Sequence, residues 1–303
     1  MVTHKWNSPA SPTPVIHRGK VYAYFGTPGL MCTDMQGNLL WSDNNLPFEG
    51  IHGVGSSLVA DDNCVIVTSL NSKAPYITAL NAETGTRLWT AKLPKWPGIH
   101  GEHRTPLIAN LNNTKVLLNW SKVHNELIAL ELDSGRELWS FQPEGKFAGE
   151  AVAGIIQKEN TLYLPSRGDF AAIDISALAT GGAPREIWRK SLRGKGPVTS
   201  SPLLHKGLIF MVSDWGYASC LNAGSGELLW RERLPRGSYL ASPIVMGQNI
   251  YFCNTSGLTT IIACESTFKQ VAQNKLPDAI YATPAPVDGH LYIRTTVGLW
   301  CIQ

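Results

Sequence analysis

The chain has 303 residues, 44% of them hydrophobic and 16% charged, so it has apolar content for a substantial core and none of the bias of a disordered chain. Lys and Arg (26) exceed Asp and Glu (23) by only three, and no basic block occurs, which excludes the electrostatic footprint of a nucleic-acid binder. No apolar run approaches the roughly 18 to 20 residues of a spanning helix, and Met1-Val2-Thr3-His4-Lys5-Trp6 is too polar for the core of a signal peptide. As written, the sequence reads as soluble and without an export signal.

In chain order, the first unit opens at Thr13-Pro14-Val15, turns at Gly19 and continues through Val21-Tyr22. It then runs Cys32-Thr33-Asp34-Met35-Gln36-Gly37-Asn38-Leu39-Leu40-Trp41, alternating apolar residues around a polar turn, which predicts a β-hairpin with glycine at the φ > 0 position. The second unit begins at Ser57-Leu58-Val59 and carries the fullest hairpin, from Ala79-Leu80-Asn81 through Gly85 to Trp89. The third begins at Thr105-Pro106-Leu107 and repeats the hairpin from Ala129 through Gly135 to Trp139. In the fourth, Val152-Ala153-Gly154 is followed by Leu162-Tyr163-Leu164, and a longer segment, Ser176 to Pro184, replaces the tight turn before Trp188. The fifth runs from Ser201-Pro202-Leu203 to a hairpin between Cys220 and Trp230, with Gly226 in the turn. The sixth starts at Ser242-Pro243-Ile244 and has neither glycine nor tryptophan between Ala263 and Val271; the seventh starts at Thr283-Pro284-Ala285 and stops at its third strand, Val297 to Gln303.

The first strands start at 13, 57, 105, 152, 201, 242 and 283, steps of 44, 48, 47, 49, 41 and 41 residues. Four short strands with their turns fill that period, which predicts an all-β fold: a single β-propeller domain over 1–303 with seven blades of four antiparallel strands. Proline near the start of five of the seven first strands places such a strand at a sheet edge, because no ladder partner then needs the missing N–H. The N-terminal segment Met1 to Trp6 is expected to supply the missing fourth strand of the last blade and close the ring. The repeated tryptophans are expected to pack between blades. Cys32, Cys220 and Cys301 stand where Ala79, Ala129, Ala172 and Ala263 stand in other units, which predicts small, buried, reduced thiols rather than disulfides. The fourth and sixth units, which break the pattern, are expected to have the weakest contacts between blades.

The Ala-Leu-Asn-x-x-Thr-Gly-x-x-Leu-Trp unit at 79–89 resembles the repeat of PQQ-like, or quinoprotein-like, β-propellers, and within them the BamB-like repeat proteins abundant in planctomycete-type bacteria. The resemblance spans nearly the whole chain, and it implies a non-enzymatic scaffold that binds a protein partner or small ligand at one face. It also implies periplasmic or otherwise exported relatives; with no export signal as written, the compartment is left unassigned. The alternatives within the resemblance are a dehydrogenase using PQQ with calcium, and a propeller that senses a glycan or small molecule. Quinoprotein dehydrogenases carry an adjacent Cys-Cys disulfide, and no two cysteines here are adjacent. No cofactor is expected, no catalytic residue is assigned, and the chain is read as a monomer with neither a nucleic-acid partner nor a transmembrane segment.

In a repeat protein, function concentrates in the connections between units. Gly50-Ile51-His52-Gly53 aligns with Gly98-Ile99-His100-Gly101, placing His52 and His100 at equivalent positions beside the channel mouth. Glu102, His103 and Arg104 follow, Glu150 and Tyr281 occupy the His103 position in later units, and Arg236 and Tyr239 complete the predicted mouth. Three histidines and two carboxylates are the ligand types of zinc, but spread around a ring they form no chelating motif, so no metal site is assigned.

Overall fold

The computed structural model describes residues 7–48, 52–70, 74–94, 103–111, 114–121, 124–145, 147 and 152–303. The described strands form seven consecutive antiparallel meanders, each a propeller blade, with almost no helix. Blade 1 comprises β1 (Val15–His17), β2 (Lys20–Tyr24), β3 (Leu30–Asp34) and β4 (Leu39–Asp43). Blade 2 comprises β5 (Val59–Ala60), β6 (Cys64–Ser69), β7 (Tyr76–Asn81) and β8 (Arg87–Lys92). Blade 3 comprises β9 (Leu107–Leu111), β10 (Thr114–Ser121), β11 (Glu126–Glu131) and β12 (Glu137–Phe141). Blade 4 comprises β13 (Ile156–Lys158), β14 (Thr161–Pro165), β15 (Asp169–Asp174) and β16 (Arg185–Ser191), with a 3-10 turn at Ser176–Thr180. Blade 5 comprises β17 (Leu203–His205), β18 (Leu208–Val212), β19 (Tyr217–Asn222) and β20 (Leu228–Arg233). Blade 6 comprises β21 (Ile244–Met246), β22 (Asn249–Cys253), β23 (Leu258–Ala263) and β24 (Gln270–Lys275). Blade 7 comprises β25 (Ala285–Val287), β26 (His290–Arg294) and β27 (Leu299–Ile302). Every proline-led first strand is a sheet edge, as its missing N–H requires. The closing strand expected at Met1 to Trp6 lies outside the described residues.

The chain divides into two compact units, Met1–Gln142 with blades 1 to 3 and Pro143–Gln303 with blades 4 to 7. In both, local chemistry makes the hairpin. The Asn81 carboxamide oxygen accepts the N–H groups of Glu83 and Thr84, and the Gly85 N–H, at φ +70°, returns to the Asn81 carbonyl. Asn222 repeats this with Gly224, Ser225 and Gly226. Just before each turn the register slips by one residue, and there a small side chain faces tryptophan: Cys32 with Trp41, Ala79 with Trp89, Ala129 with Trp139, Ala172 with Trp188 and Cys220 with Trp230.

Within each unit the tryptophan of one blade rests on the turn of the next. Trp41 Nε1 donates to the Ala82 carbonyl at 3.2 Å, Trp89 to Leu132 at 2.8 Å and Trp188 to Ala223 at 3.1 Å. Beneath each ring lies the turn glycine: a Cβ on Gly85, Gly135 or Gly226 would come within 2.5, 2.4 or 2.5 Å of that indole. Apolar clusters fill the rest of the blade interfaces within each unit, as where Phe210 and Trp230 of blade 5 and Tyr239 of the connection that follows meet Ile250 and Phe252 of blade 6.

Three expectations are corrected. Blade 4 keeps the full tryptophan contact onto blade 5, because its altered turn leaves β16 in register. In blade 6 the small site is not Ala263 but falls at Ile261, which faces Ala272. The large and small partners have traded strands. Cys32 and Cys220 are fully buried, but Cys301 is exposed: it faces Tyr292 on β26, and among the described residues no strand pairs with the far side of β27.

Candidate functional site

In the first unit the connection from blade 1 to blade 2 is held down from several sides. The Asn7 carboxamide donates to the carbonyls of His52 and Val54 at 2.6 and 2.9 Å, and Thr27 Oγ1 donates to the Phe48 carbonyl. Val54, Leu46 and Phe48 are buried. This fixes His52 so that its ring meets His103 edge-on, with centroids 6.1 Å apart and planes at 83°. Gly55 allows the approach, since a Cβ there would lie 2.9 Å from His103 Cβ. Arg104 follows, only 2% exposed. The repeat alignment pairs His52 with His100, whereas the ring found against His52 belongs to His103, three residues further on. His100, Glu102 and Glu150 lie outside the described residues.

In the second unit Arg236 and Tyr281 are exposed, but Tyr239 is corrected from a mouth residue to a core residue. Its ring is fully buried against Gly216, where a Cβ would come within 2.8 Å, and its hydroxyl donates to the Pro235 carbonyl at 2.9 Å and accepts from Asn254 Nδ2. Burial, the largest cause, raises its pKa despite the hydrogen bond from Asn254. An aromatic residue in a connection has the same sequence signature whether it faces solvent or plugs a core.

The structure also gives the Ser/Thr-Pro signal a role that the sequence did not reveal. In the first unit the Thr13 N–H donates to Ser57 Oγ, and the Ser57 N–H to Thr105 Oγ1, each at 3.0 Å. In the second, the N–H groups of Gly154, Ser201 and Ser242 donate in turn to the hydroxyls of Ser201, Ser242 and Thr283. Each hydroxyl thus ties its own blade to the one before it. The sequence signal was the recurrence of a hydroxyl residue before every first strand except that of blade 4, where Gly154 stands.

A cavity of about 310 Å³ lies between blades 2 and 3, with apolar walls from Leu70, Pro75, Leu93 and Ile128 and with Asn119, His124 and Glu137 as polar lining. Among the described residues, no three His, Cys, Asp or Glu side chains gather in a metal-holding group. Among the described residues, no helix is long and apolar enough to cross a membrane.

The family model described as outer membrane protein assembly factor BamB matches three overlapping stretches, residues 7–90, 31–183 and 175–267. Proteins named outer membrane protein assembly factor BamB from Legionella pneumophila and Xanthomonas campestris are 25% and 27% identical, over 72% and 67% of this chain and 52% and 48% of their own lengths. A tetrathionate hydrolase from Acidithiobacillus ferrooxidans is 25% identical over 53% of this chain and 34% of its own. The chain therefore spans about half the length of the BamB relatives and a third of the hydrolase. Among solved structures, BamB from Moraxella catarrhalis aligns with TM-score 0.57 and 13% identity over 96% of both chains. A europium-containing methanol dehydrogenase aligns with TM-score 0.70 and 13% identity, over 93% of this chain and 72% of its own. At such identity both structures speak to fold alone.

Proposed function

From the family of the outer membrane protein assembly factor BamB, to which this chain belongs, we propose that the protein is a non-enzymatic propeller scaffold that binds a protein partner in outer-membrane assembly, outside the cytoplasm. We place the partner at the connections of the first unit. The supporting observation is the pair His52 and His103, held together by the Asn7 clamp and the absence of a side chain at Gly55. His100 and Glu102 belong to the same stretch of sequence. Elsewhere the repeat residues serve blade packing, whereas this pair sits in connecting segments that packing alone leaves free to vary.

The test is site-specific photocrosslinking in cells, with the reactive side chain placed in turn at Pro47, exposed in the same connection, and, as a control, at Val271 on the outer strand of blade 6. A discrete adduct with an outer-membrane assembly protein from Pro47, lost in His52→Ala with His103→Ala, is the expected result. Equal adducts from both positions would overturn the placement. The dehydrogenase reading rests on a shared fold alone, that of the methanol dehydrogenase. It is tested by adding PQQ and calcium and following quinone absorbance and dye reduction with alcohols; turnover would replace the scaffold reading.

A further inference from the structure

The second unit carries a cluster of cations that no ion pair among the described residues engages. Arg167, in the turn between β14 and β15, lies with its guanidinium carbon 4.4 Å from the ring centroid of Trp215, which is 45% exposed in the corresponding turn of blade 5. Tyr217, two residues on, has Lys195 Nζ at 4.5 Å and the Arg233 guanidinium carbon at 4.7 Å from its centroid. Arg231, on the same face of β20 as Arg233, donates from Nε to Ser219 Oγ, and its Nη2 is buried without a hydrogen-bond partner. Burial and then the neighbouring Arg193 lower its pKa.

Ion pairs elsewhere in the described structure engage Arg18, Arg87, Lys115, Arg136, Arg185 and Arg189, and none engages Arg167, Lys195, Arg231 or Arg233. Two nearby acids are placed elsewhere. The Asp214 carboxylate accepts from the Thr199 N–H and hydroxyl, and Glu232 alternates to the opposite face of β20 from Arg231 and Arg233.

The backbone beneath the cluster is pinned. The Gly196 N–H donates to the Arg167 carbonyl at 2.8 Å, the Lys195 N–H to Leu192 at 3.0 Å, and a Cβ on Gly196 would lie 2.4 Å from the Ser166 carbonyl oxygen. Arg233 faces Tyr217 directly in the β19–β20 ladder. A guanidinium stacked on an aromatic ring keeps its in-plane N–H edge for a planar, two-oxygen acceptor, and a carboxylate fits that edge. The rings already carry cations, so a nucleobase would have to displace them in order to stack. A carboxylate needs only to approach from the side.

We propose that this surface of blades 4 and 5 binds an acidic polypeptide segment, its carboxylates on Arg167, Arg233 and Lys195 and a neighbouring apolar side chain against the exposed part of Trp215. The inference is independent of the proposed partner surface in the first unit, because it draws on none of the same residues. Fluorescence anisotropy of the full chain with a labelled peptide of Glu-Glu-Leu repeats tests it, with an oligodeoxythymidine and heparin as competitors. Binding is expected to weaken about tenfold or more in Arg167→Gln with Arg233→Gln and as salt rises, and to be kept in Arg18→Gln with Arg136→Gln, which removes equal charge from residues already paired with Asp62 and Glu131. Trp215→Ala is expected to weaken it less, and unchanged melting temperatures would show that every variant is folded. Failure of the folded wild type to bind the peptide, equal loss in both double variants, or displacement of the peptide by the oligonucleotide or heparin at lower charge concentration than by unlabelled peptide would each overturn the proposal.

Discussion

At the scale of single residues, the repeated glycine and the repeated tryptophan form one contact. The φ > 0 requirement explains a glycine in each turn, but many positions here share it; what distinguishes Gly135 is the Trp89 ring that lies where its Cβ would be. Gly19, at φ +73°, has nothing within 4 Å of the same direction. Gly19→Ala is therefore expected to cost about 1 to 2 kcal/mol from backbone strain alone. Gly135→Ala should cost a further 1 to 3 kcal/mol, approximately, from displacement of the indole. Urea denaturation midpoints compare them, and equal costs would mean that Trp89 yields freely. Cysteine gives a second test. Burial pushes the Cys220 thiol up to about 12 and raises Cys32 as well, whereas Cys301 is open to solvent. A thiol reagent at neutral pH should modify Cys301 in the folded protein and reach Cys32 and Cys220 only on unfolding; protection of Cys301 would show that β27 is covered in solution.

At the scale of the element, blade 6 shows what the hairpin motif preserves. Five blades oppose a small residue to tryptophan beside the register slip, and blade 6 opposes Ile261 to Ala272 at the same place. The identity of either residue is free provided that the pair fits. The sequence could not show this, because without glycine or tryptophan nothing marks the register, and the alternation around Ala263 suits a slip of two residues equally well. Ala272→Trp alone should destabilise by about 1 to 3 kcal/mol through overpacking against Ile261. Combined with Ile261→Ala it should cost less than the two single changes summed, with a coupling of about 1 kcal/mol or more. Strict additivity in thermal or urea unfolding would mean that the two side chains do not share space.

At the scale of the whole molecule, the blade units were legible in the sequence because repetition supplies each signal several times: Pro14, Pro106, Pro202, Pro243 and Pro284 all precede edge strands, as one rule predicts. The site was less legible, since His52 and His103 meet by the path of two connections rather than by a shared repeat position, and Tyr239 turns inward where Tyr281 is exposed. Least legible was the hydroxyl relay, a pairing between residues about one repeat apart. It carries the last prediction. Ser242 takes part twice, its Oγ accepting the Ser201 N–H at 2.9 Å and its own N–H donating to Thr283 Oγ1 at 3.0 Å. Ser242→Ala removes the first link and leaves the second, because the backbone donor remains. A hydrogen bond of this kind contributes about 1 kcal/mol net, so exchange of the Ser201 amide should quicken about fivefold by hydrogen–deuterium measurement. The Ser242 amide and the Thr13 and Ser57 links of the first unit should keep their protection, because repeat stability is largely a sum over nearest neighbours. A loss of protection spread evenly over all seven blades would show instead that the relay is a cooperative element of the entire fold.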